Sequence, residues 1–271
     1  LLHHALAAGR YSAGPAMVWL WGGMTAVAVG SLVWVYVVEP LRARPWRVAE
    51  IKRLTPRQWG LTLRPEGHDG LRYKAGQFAW LNIGHSAFSL DENPFSISSA
   101  PAAGDAVSFV IKELGDFTGS LDQVKPGMRA YLDGPYGSMS VEGRSEPGIA
   151  LIAGGVGIAP MLSILNQMRL TGDSRRVRLI YGNRLEEQIV FREDLPREDT
   201  ILVLSEPPLG WQGETGMIGP DLLDGSFTDD EFAEWLFVLC GPPIMMDTVE
   251  DHLIACGVPS GRILSERFDY G

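Results

Sequence analysis

The chain has 271 residues, of which 45% are hydrophobic, and it carries a formal net charge of −10 at pH 7. This length and composition suit two folded domains with full cores, and they exclude a disordered chain or a small disulfide-stapled protein. The acidic balance argues against a nucleic-acid partner, which needs a basic face, and two cysteines are too few to ligate an iron–sulfur cluster.

The first predicted element is a membrane-spanning helix. Residues 15–38 contain no charged side chain, and as a helix they would extend about 36 Å, enough to cross the hydrocarbon core of a bilayer. Five basic residues follow within the next fifteen positions, whereas Arg10 alone precedes: Arg42, Arg44, Arg47, Lys52 and Arg53. The positive-inside rule therefore places everything after Pro40 in the cytosol.

Two histidines, His3 and His4, stand just before this segment. A histidine within a bilayer is a functional candidate, and haem iron is one partner it could ligate. A location in a loop or at the membrane interface explains the pair equally well. Because the chain opens inside a patterned segment, we expect residues 1–45 to be the end of a larger, multi-pass membrane region.

A small antiparallel barrel is predicted over residues 46–142. Short runs with a period of two, such as GLTLRP and AVSFVIK, are separated by Pro, Gly, Asn and Asp, and six such strands are typical of a barrel. One helix interrupts them, with Thr118 as the predicted N-cap and its free N–H groups suited to a phosphate. Gly115, just upstream, allows the backbone to approach such a ligand closely.

An α/β domain with a parallel sheet is predicted over residues 146–271, because unbroken apolar runs alternate there with amphipathic helices. The first strand enters the sequence AGGVGIAP, in which Gly154, Gly155 and Gly157 permit a tight turn and Pro160 suits the first helical turn. The pattern favours a phosphate cradle. A strand-to-helix turn without a ligand remains the alternative.

The ends of two further strands carry candidate binding residues. Arg184 follows the tip of the second strand, where no acid stands, and this favours NADPH over NADH. Glu186 and Glu187 follow closely and can reverse that preference. The last strand ends in Cys240-Gly241-Pro242-Pro243, which puts Cys240 near a nicotinamide ring or, alternatively, makes it a small buried hydrophobe.

An ordered set of motifs resembles the ferredoxin–NADP reductase superfamily, in particular its membrane branch, the ferric reductases and NADPH oxidases. The set consists of Asn93-Pro94-Phe95-Ser96, then Ile111-Lys112 with Gly115 and Thr118, then Gly134-Pro135-Tyr136-Gly137, then the glycine turn, then Cys240-Gly241-Pro242-Pro243. The resemblance covers the chain from about Trp46, and the preceding helix resembles the last transmembrane helix of that branch.

The resemblance implies FAD in the barrel domain and roles for named residues. Ser96 is the residue that orients the flavin, and Lys112, Gly115 and Thr118 hold its pyrophosphate. A terminal aromatic stacks on the flavin, either Phe268 or Tyr270. Asn93 departs from the family's usual His or Arg, and Val156 from a frequent threonine. Glu266 resembles the acidic residue near the family's flavin, with a solvated terminal charge as the alternative.

Together these features predict a transmembrane helix, an FAD-binding barrel and an NAD(P)H-binding domain. Electrons would pass from NAD(P)H through FAD and haem to an acceptor such as ferric iron, oxygen or a quinone. His3 or His4 would be one ligand of the haem. Two alternatives stay open. One is an anchored NAD(P)H:flavin reductase that feeds a protein partner, and the other is a non-catalytic flavin-binding subunit. Ser96, Cys240 and Phe268 are the predicted catalytic residues.

Overall fold

The computed structural model describes residues 15–86 and 92–267. They form an N-terminal helix, an antiparallel barrel and a parallel α/β domain, in the predicted order. The structure thus confirms the class of both sheets. The predicted helix over 15–38 is present, and its relation to a membrane is taken up below.

The N-terminal helix is long and apolar, and it is not buried against the rest of the described chain. Helix α1 (Pro15–Val33) continues through a π-helical turn (Trp34–Val38) into α2 (Glu39–Arg42). The whole run of 28 residues has a mean hydropathy of 1.6 over its most apolar window. None of the residues of α1 is buried. Its apolar side chains therefore find no core within the described part of the chain.

Six strands build the barrel in the order β4-β3-β6-β1-β2-β5, with every pair antiparallel. They are β1 (Pro45–Thr55), β2 (Gln58–Pro65), β3 (Phe78–Ile83), β4 (Asn93–Ser96), β5 (Val107–Lys112) and β6 (Arg129–Tyr136). The two edge strands are brought together by a bridge between Ile97 and Phe109. Alternate side chains along the strands, such as Leu61 and Leu63, fill the interior.

One helical turn, α3 (Asp116–Gly119), lies between β5 and β6 and is followed by a 3-10 turn at Leu121–Gln123. Another 3-10 turn, Pro101–Ala103, lies between β4 and β5. The prediction that Thr118 caps this helix is wrong. The N-cap is Gly115, and Thr118 is the third helical residue. The hydroxyl of Thr118 reaches back to accept hydrogen bonds from the N–H groups of Leu114 (2.8 Å) and Gly115 (2.9 Å). At the third position the hydroxyl meets N–H groups at and before the N-cap, whereas an N-cap side chain meets those inside the first turn.

The second sheet is parallel throughout, in the order β10-β9-β8-β7-β11-β12. Its strands are β7 (Gly148–Gly154), β8 (Arg176–Asn183), β9 (Thr200–Leu204), β10 (Glu214–Thr215), β11 (Leu236–Cys240) and β12 (Ile263–Ser265). Helix α4 (Ile158–Thr171) covers one face. The other face is covered by α5 (Pro220–Ser226), α6 (Asp229–Glu234) and α7 (Pro243–Ala255).

The two domains share a packed seam. Helix α4 belongs to the same hydrophobic cluster as Val110 of the barrel and Met139 of the connecting segment. The hydroxyl of Ser163 in α4 donates a hydrogen bond of 2.5 Å to the carbonyl oxygen of Ser99. This seam fixes the carboxyl ends of the parallel strands against the barrel, which is where ligands of open α/β sheets bind.

Candidate functional site

Strand β4 has one half-buried face and one face that points to the barrel core. Because side chains alternate along a strand, Pro94 and Ser96 lie on one face, half-buried, while Phe95 points inward. Phe95 is 7% exposed and stacks on Phe117 at 6.0 Å between ring centroids. Asn93 is half-buried at the start of the strand. The cofactor contact predicted for Phe95 therefore falls to its main chain, and Ser96 offers its hydroxyl.

The stretch around Lys112 follows the same alternation. Ile111 is fully buried in the barrel core, so its predicted cofactor contact is also restricted to the backbone. Lys112 is half-buried, and the pKa of its ammonium is lowered by burial and by the neighbouring charges of Arg57 and Arg184. These three cations come from both domains. Their convergence makes this part of the seam a site for an anion.

The glycine turn brings the ends of β7 and β11 unusually close. A Cβ atom built on Gly154 would lie 2.6 Å from Cδ of Pro242, and one built on Gly157 would lie 2.1 Å from the carbonyl oxygen of Cys240. A Cβ atom built on Gly241 would lie 3.0 Å from the backbone nitrogen of Gly154. Gly155 instead has a φ of +56° with open space around it. The predicted tight turn is present, and its tightness serves the contact between two strand ends.

Pro160 is buried in the first turn of α4. Cys240, the last residue of β11, is 4% exposed, and burial together with the nearby Glu266 raises the pKa of its thiol to about 12. The thiol is therefore neutral at physiological pH and does not act as a nucleophile.

Glu266 closes the seam from the end of β12. A Cβ atom built on Gly137, at the end of β6, would lie 2.3 Å from Oε1 of Glu266 and 3.1 Å from the ring of Phe78. Burial raises the pKa of the Glu266 carboxyl to about 7. Its Oε2 atom is buried and has no hydrogen-bond partner among the described residues. A buried carboxyl oxygen of this kind requires a polar partner, which a bound ligand can provide.

Arg184 lies directly after β8, at the predicted tip. Its Nε atom forms an ion pair of 3.5 Å with Oε1 of Glu206, which follows β9. Both side chains are more than half exposed, so the pair is weak and can open. Glu206 was missed from the sequence because only the parallel pairing of β8 with β9 brings it beside Arg184.

Several other predicted residues lie outside the described part of the chain. These are His3, His4, Phe268 and Tyr270. Conversely, two residues of the seam were not predicted, Arg57 and Phe78. Arg57 joins Lys112. The ring of Phe78 packs at 5.9 Å between centroids against Tyr136 of the predicted Gly134-Pro135-Tyr136-Gly137 motif, beside Gly137.

Comparison with known proteins identifies the two domains. Residues 61–140 match the family described as FAD-binding domain, and residues 151–251 match the oxidoreductase NAD-binding domain. The reductase component of propane 2-monooxygenase from Gordonia sp. (strain TY-5) is 30% identical over 240 residues, covering 84% of this chain and 68% of the relative. The chain belongs to the ferredoxin–NADP reductase-like superfamily. Its two matched domains are those of an NAD(P)H-dependent FAD oxidoreductase.

Other relatives and structures agree with this assignment. NADH oxidoreductase HCR of Escherichia coli (strain K12) is 28% identical, covering 84% of this chain and 70% of the relative. The ferredoxin NADP+ reductase of Neisseria gonorrhoeae shares the fold with a TM-score of 0.70 at 22% identity, over 83% of this chain and 98% of that one. The corresponding reductase component of Rhodococcus jostii (strain RHA1) is 31% identical over 84% of this chain, which spans 64% of its length.

The residues at the seam fit both nucleotides. Gly155 of the turn has open space around it, Glu266 holds an unpartnered buried oxygen, and Lys112 lies within a group of cations. Diphosphate groups need such cations, and flat rings need backbone that they can approach closely.

Proposed function

We propose that this chain is the flavin reductase of an electron-transfer system and is anchored to a membrane by α1. The reductase takes hydride from NAD(P)H and delivers electrons one at a time to a protein partner. The observation that carries the proposal is the seam where Glu266 of the α/β domain lies against Gly137 of the barrel and close to Cys240. Ser96 pairs with Phe78, whose ring lies beside Gly137. A hydride donor and an acceptor ring must meet in such a water-poor junction.

Residues of both domains would hold the cofactors there. Ser96 and the main chain of Asn93, Pro94 and Phe95 would line the flavin, and Lys112 with the Gly115–Thr118 turn would hold its pyrophosphate. Gly154, Gly155, Gly157, Gly241 and Pro242 would receive NAD(P)H. When bound, FAD supplies the conversion of one two-electron transfer into two one-electron transfers.

The protein residues bind, orient and exclude water. Thr118 fixes the turn around Gly115 through its two accepted hydrogen bonds. The glycines of the turn allow the nicotinamide end of the dinucleotide to approach β11, with the neutral thiol of Cys240 as a small apolar wall. Glu266 stays partly protonated near pH 7, which lets its carboxyl donate a hydrogen bond within the seam.

A protein partner is the acceptor that the relatives favour. The relatives named above include reductase components of propane 2-monooxygenase, and others are NADH-cytochrome b5 reductases. Each name pairs a flavin reductase with a separate protein acceptor. By analogy, this chain serves a redox protein rather than a free small molecule.

Membrane anchoring is supported by exposure and charge. Helix α1 and its continuation extend about 42 Å over 28 residues. Large apolar side chains along it, such as Trp19 (80% exposed) and Val27 (71% exposed), are uncovered by protein. A soluble surface rarely exposes so continuous an apolar patch. The basic residues from Arg42 onward then orient the two domains toward the cytosol.

Anaerobic stopped-flow absorbance tests the proposal. The purified full chain is mixed with NADH or NADPH, and flavin bleaching is followed, with oxidised cytochrome c then added as a one-electron acceptor. We expect bleaching within seconds and stoichiometric cytochrome reduction. Bleaching without transfer to cytochrome c contradicts electron delivery to proteins, and no bleaching with either donor supports the non-catalytic flavin-binding subunit.

A transmembrane haem relay is the second candidate function. It is favoured by the short connection between α2 and β1, in which only Ala43 and Arg44 separate Arg42 from Pro45. This connection keeps the flavin barrel close to the end of the membrane helix. His3 or His4 would supply a haem ligand in that case, and ferric iron, oxygen or a quinone would be the terminal acceptor. A Soret band that shifts on addition of NAD(P)H identifies this function, and a protein preparation without haem absorbance excludes it.

A further inference from the structure

Three side chains of different chemistry meet on the face of the α/β domain covered by α5, α6 and α7. They are Asp224 near the end of α5, His252 in the last turn of α7, and Cys256 directly after α7. Their ligand atoms all lie within 4.8 Å of one another. Nothing in the reductase mechanism uses them, since the other end of α7 begins after the Cys240-Gly241-Pro242 turn, about 20 Å away along the helix.

The geometry points to a binding site for one thiophilic divalent cation, with zinc as its natural occupant, formed by Asp224, His252 and Cys256. One ring nitrogen is the centre of the arrangement. Nε2 of His252 lies 2.7 Å from Oδ1 of Asp224 and 3.5 Å from Sγ of Cys256.

This shared nitrogen excludes a nucleophilic triad. In such triads the carboxylate orients one ring nitrogen while the nucleophile contacts the other. Here both partners contact the same nitrogen. A single proton on Nε2 can form a good hydrogen bond with only one of them, whereas a cation placed between the three atoms can coordinate all of them.

The spacing is close to that of a zinc site. With Zn–N of about 2.0–2.1 Å and Zn–S of about 2.3 Å, tetrahedral ligands N and S lie about 3.6 Å apart. The observed separation of these two atoms is 3.5 Å. Ligands N and O would lie about 3.4 Å apart, so the carboxylate of Asp224 must move by about 0.7 Å. Its side chain is 59% exposed and free to do so.

The surroundings supply support and access. The ring of Phe232 packs edge-on against His252 at 6.3 Å between centroids, which holds the imidazole in place. His252 and Cys256 are four residues apart and so share one face of the helix. Asp224 and Cys256 are exposed, so water can enter as the fourth ligand. Aspartate and thiolate together also neutralise the charge of a divalent ion.

Cobalt binding to the metal-free full chain tests the site. We expect one equivalent of Co²⁺ to give the visible bands of tetrahedral cobalt and a near-ultraviolet thiolate-to-cobalt band, both removed by Zn²⁺. Cys256→Ser should abolish the thiolate band. His252→Gln and Asp224→Asn should weaken binding at least about tenfold, the loss that even supporting groups of metal sites cause.

Asp221→Asn is the matched control, because it removes the same charge from an exposed position of the same helix. It should leave cobalt affinity unchanged within about twofold. Zinc should also slow alkylation of Cys256 by iodoacetamide, whereas Cys240 is buried and unreactive with or without metal. The proposal is overturned if stoichiometric cobalt gives no band, or if the thiolate band persists in Cys256→Ser. It is also overturned if Asp221→Asn and Asp224→Asn lose equal affinity, or if zinc does not change the alkylation rate of Cys256.

Discussion

Gly157 lies so close to Cys240 that a Cβ atom on the glycine would stand 2.1 Å from the carbonyl oxygen of the cysteine. Backbone atoms of both strand ends form this contact, so no side chain can rotate away to relieve a clash. The glycine turn and the Cys240-Gly241-Pro242 turn therefore pack against each other as one unit.

The first prediction follows from this contact. Gly157→Ala should destabilise the protein by about 3 kcal/mol, at the upper end of overpacking costs, and should weaken NAD(P)H binding. Gly155→Ala is the control, since its φ is +56° but nothing lies within 4 Å of the added Cβ. Backbone strain alone should cost it about 1 kcal/mol. Urea unfolding measures both values, and equal losses would contradict the steric argument.

The second prediction concerns Glu266 and pH. Its pKa is about 7 in the folded chain and near 4.5 when exposed. The folded state therefore binds more protons between these values, and the free energy of unfolding should fall as pH rises from about 4.5 to 7 and then level off. Glu266→Gln should remove this fall, a gain of about 1–2 kcal/mol at pH 8 once solvent access is allowed for.

Urea unfolding of the FAD-free protein between pH 4.5 and 8 measures this effect. Glu142→Gln, at an exposed position of the connecting segment, is the matched control and should keep the pH dependence of the parent chain. If Glu266→Gln follows the same pH curve as the parent, burial of that carboxyl does not govern stability.

The sequence predicts those parts of this site that depend on local pattern. Alternating and unbroken apolar runs predicted both sheets because the apolar pattern of each strand reflects whether one or both of its faces are buried. Thr118 was assigned to the wrong helix position, since a threonine hydroxyl can accept a backbone hydrogen bond from the N-cap or from the third helical position. Glu206 and the partners of His252 could not be predicted, because strand order and helix packing bring them together across long stretches of chain.

The third prediction concerns the choice between NADPH and NADH. Arg184 forms an exposed ion pair with Glu206, and its charge lowers the pKa of Lys112. Because the ion pair can open, we expect the guanidinium to receive a 2′-phosphate. Arg184→Ala should lower kcat/KM for NADPH about tenfold, or about 1.4 kcal/mol, and leave NADH unchanged. Glu206→Gln should raise kcat/KM for NADPH by freeing the guanidinium. Arg197→Ala, an exposed arginine of the same domain, should change neither. If Arg184→Ala does not change kcat/KM for NADPH, the ribose binds elsewhere.

The last prediction tests the membrane anchor through Val27, near the middle of the 28-residue helical run and 71% exposed. A charged residue at the centre of a spanning helix costs about 2.5–3.5 kcal/mol of insertion free energy. Val27→Arg should therefore shift much of the full chain out of the membrane fraction, measured by flotation with lipid vesicles. Leu209→Arg places the same charge at a fully exposed apolar position of the α/β domain and should float like the parent. If both variants float equally well, the helix does not cross the bilayer, and the chain associates with the membrane surface instead.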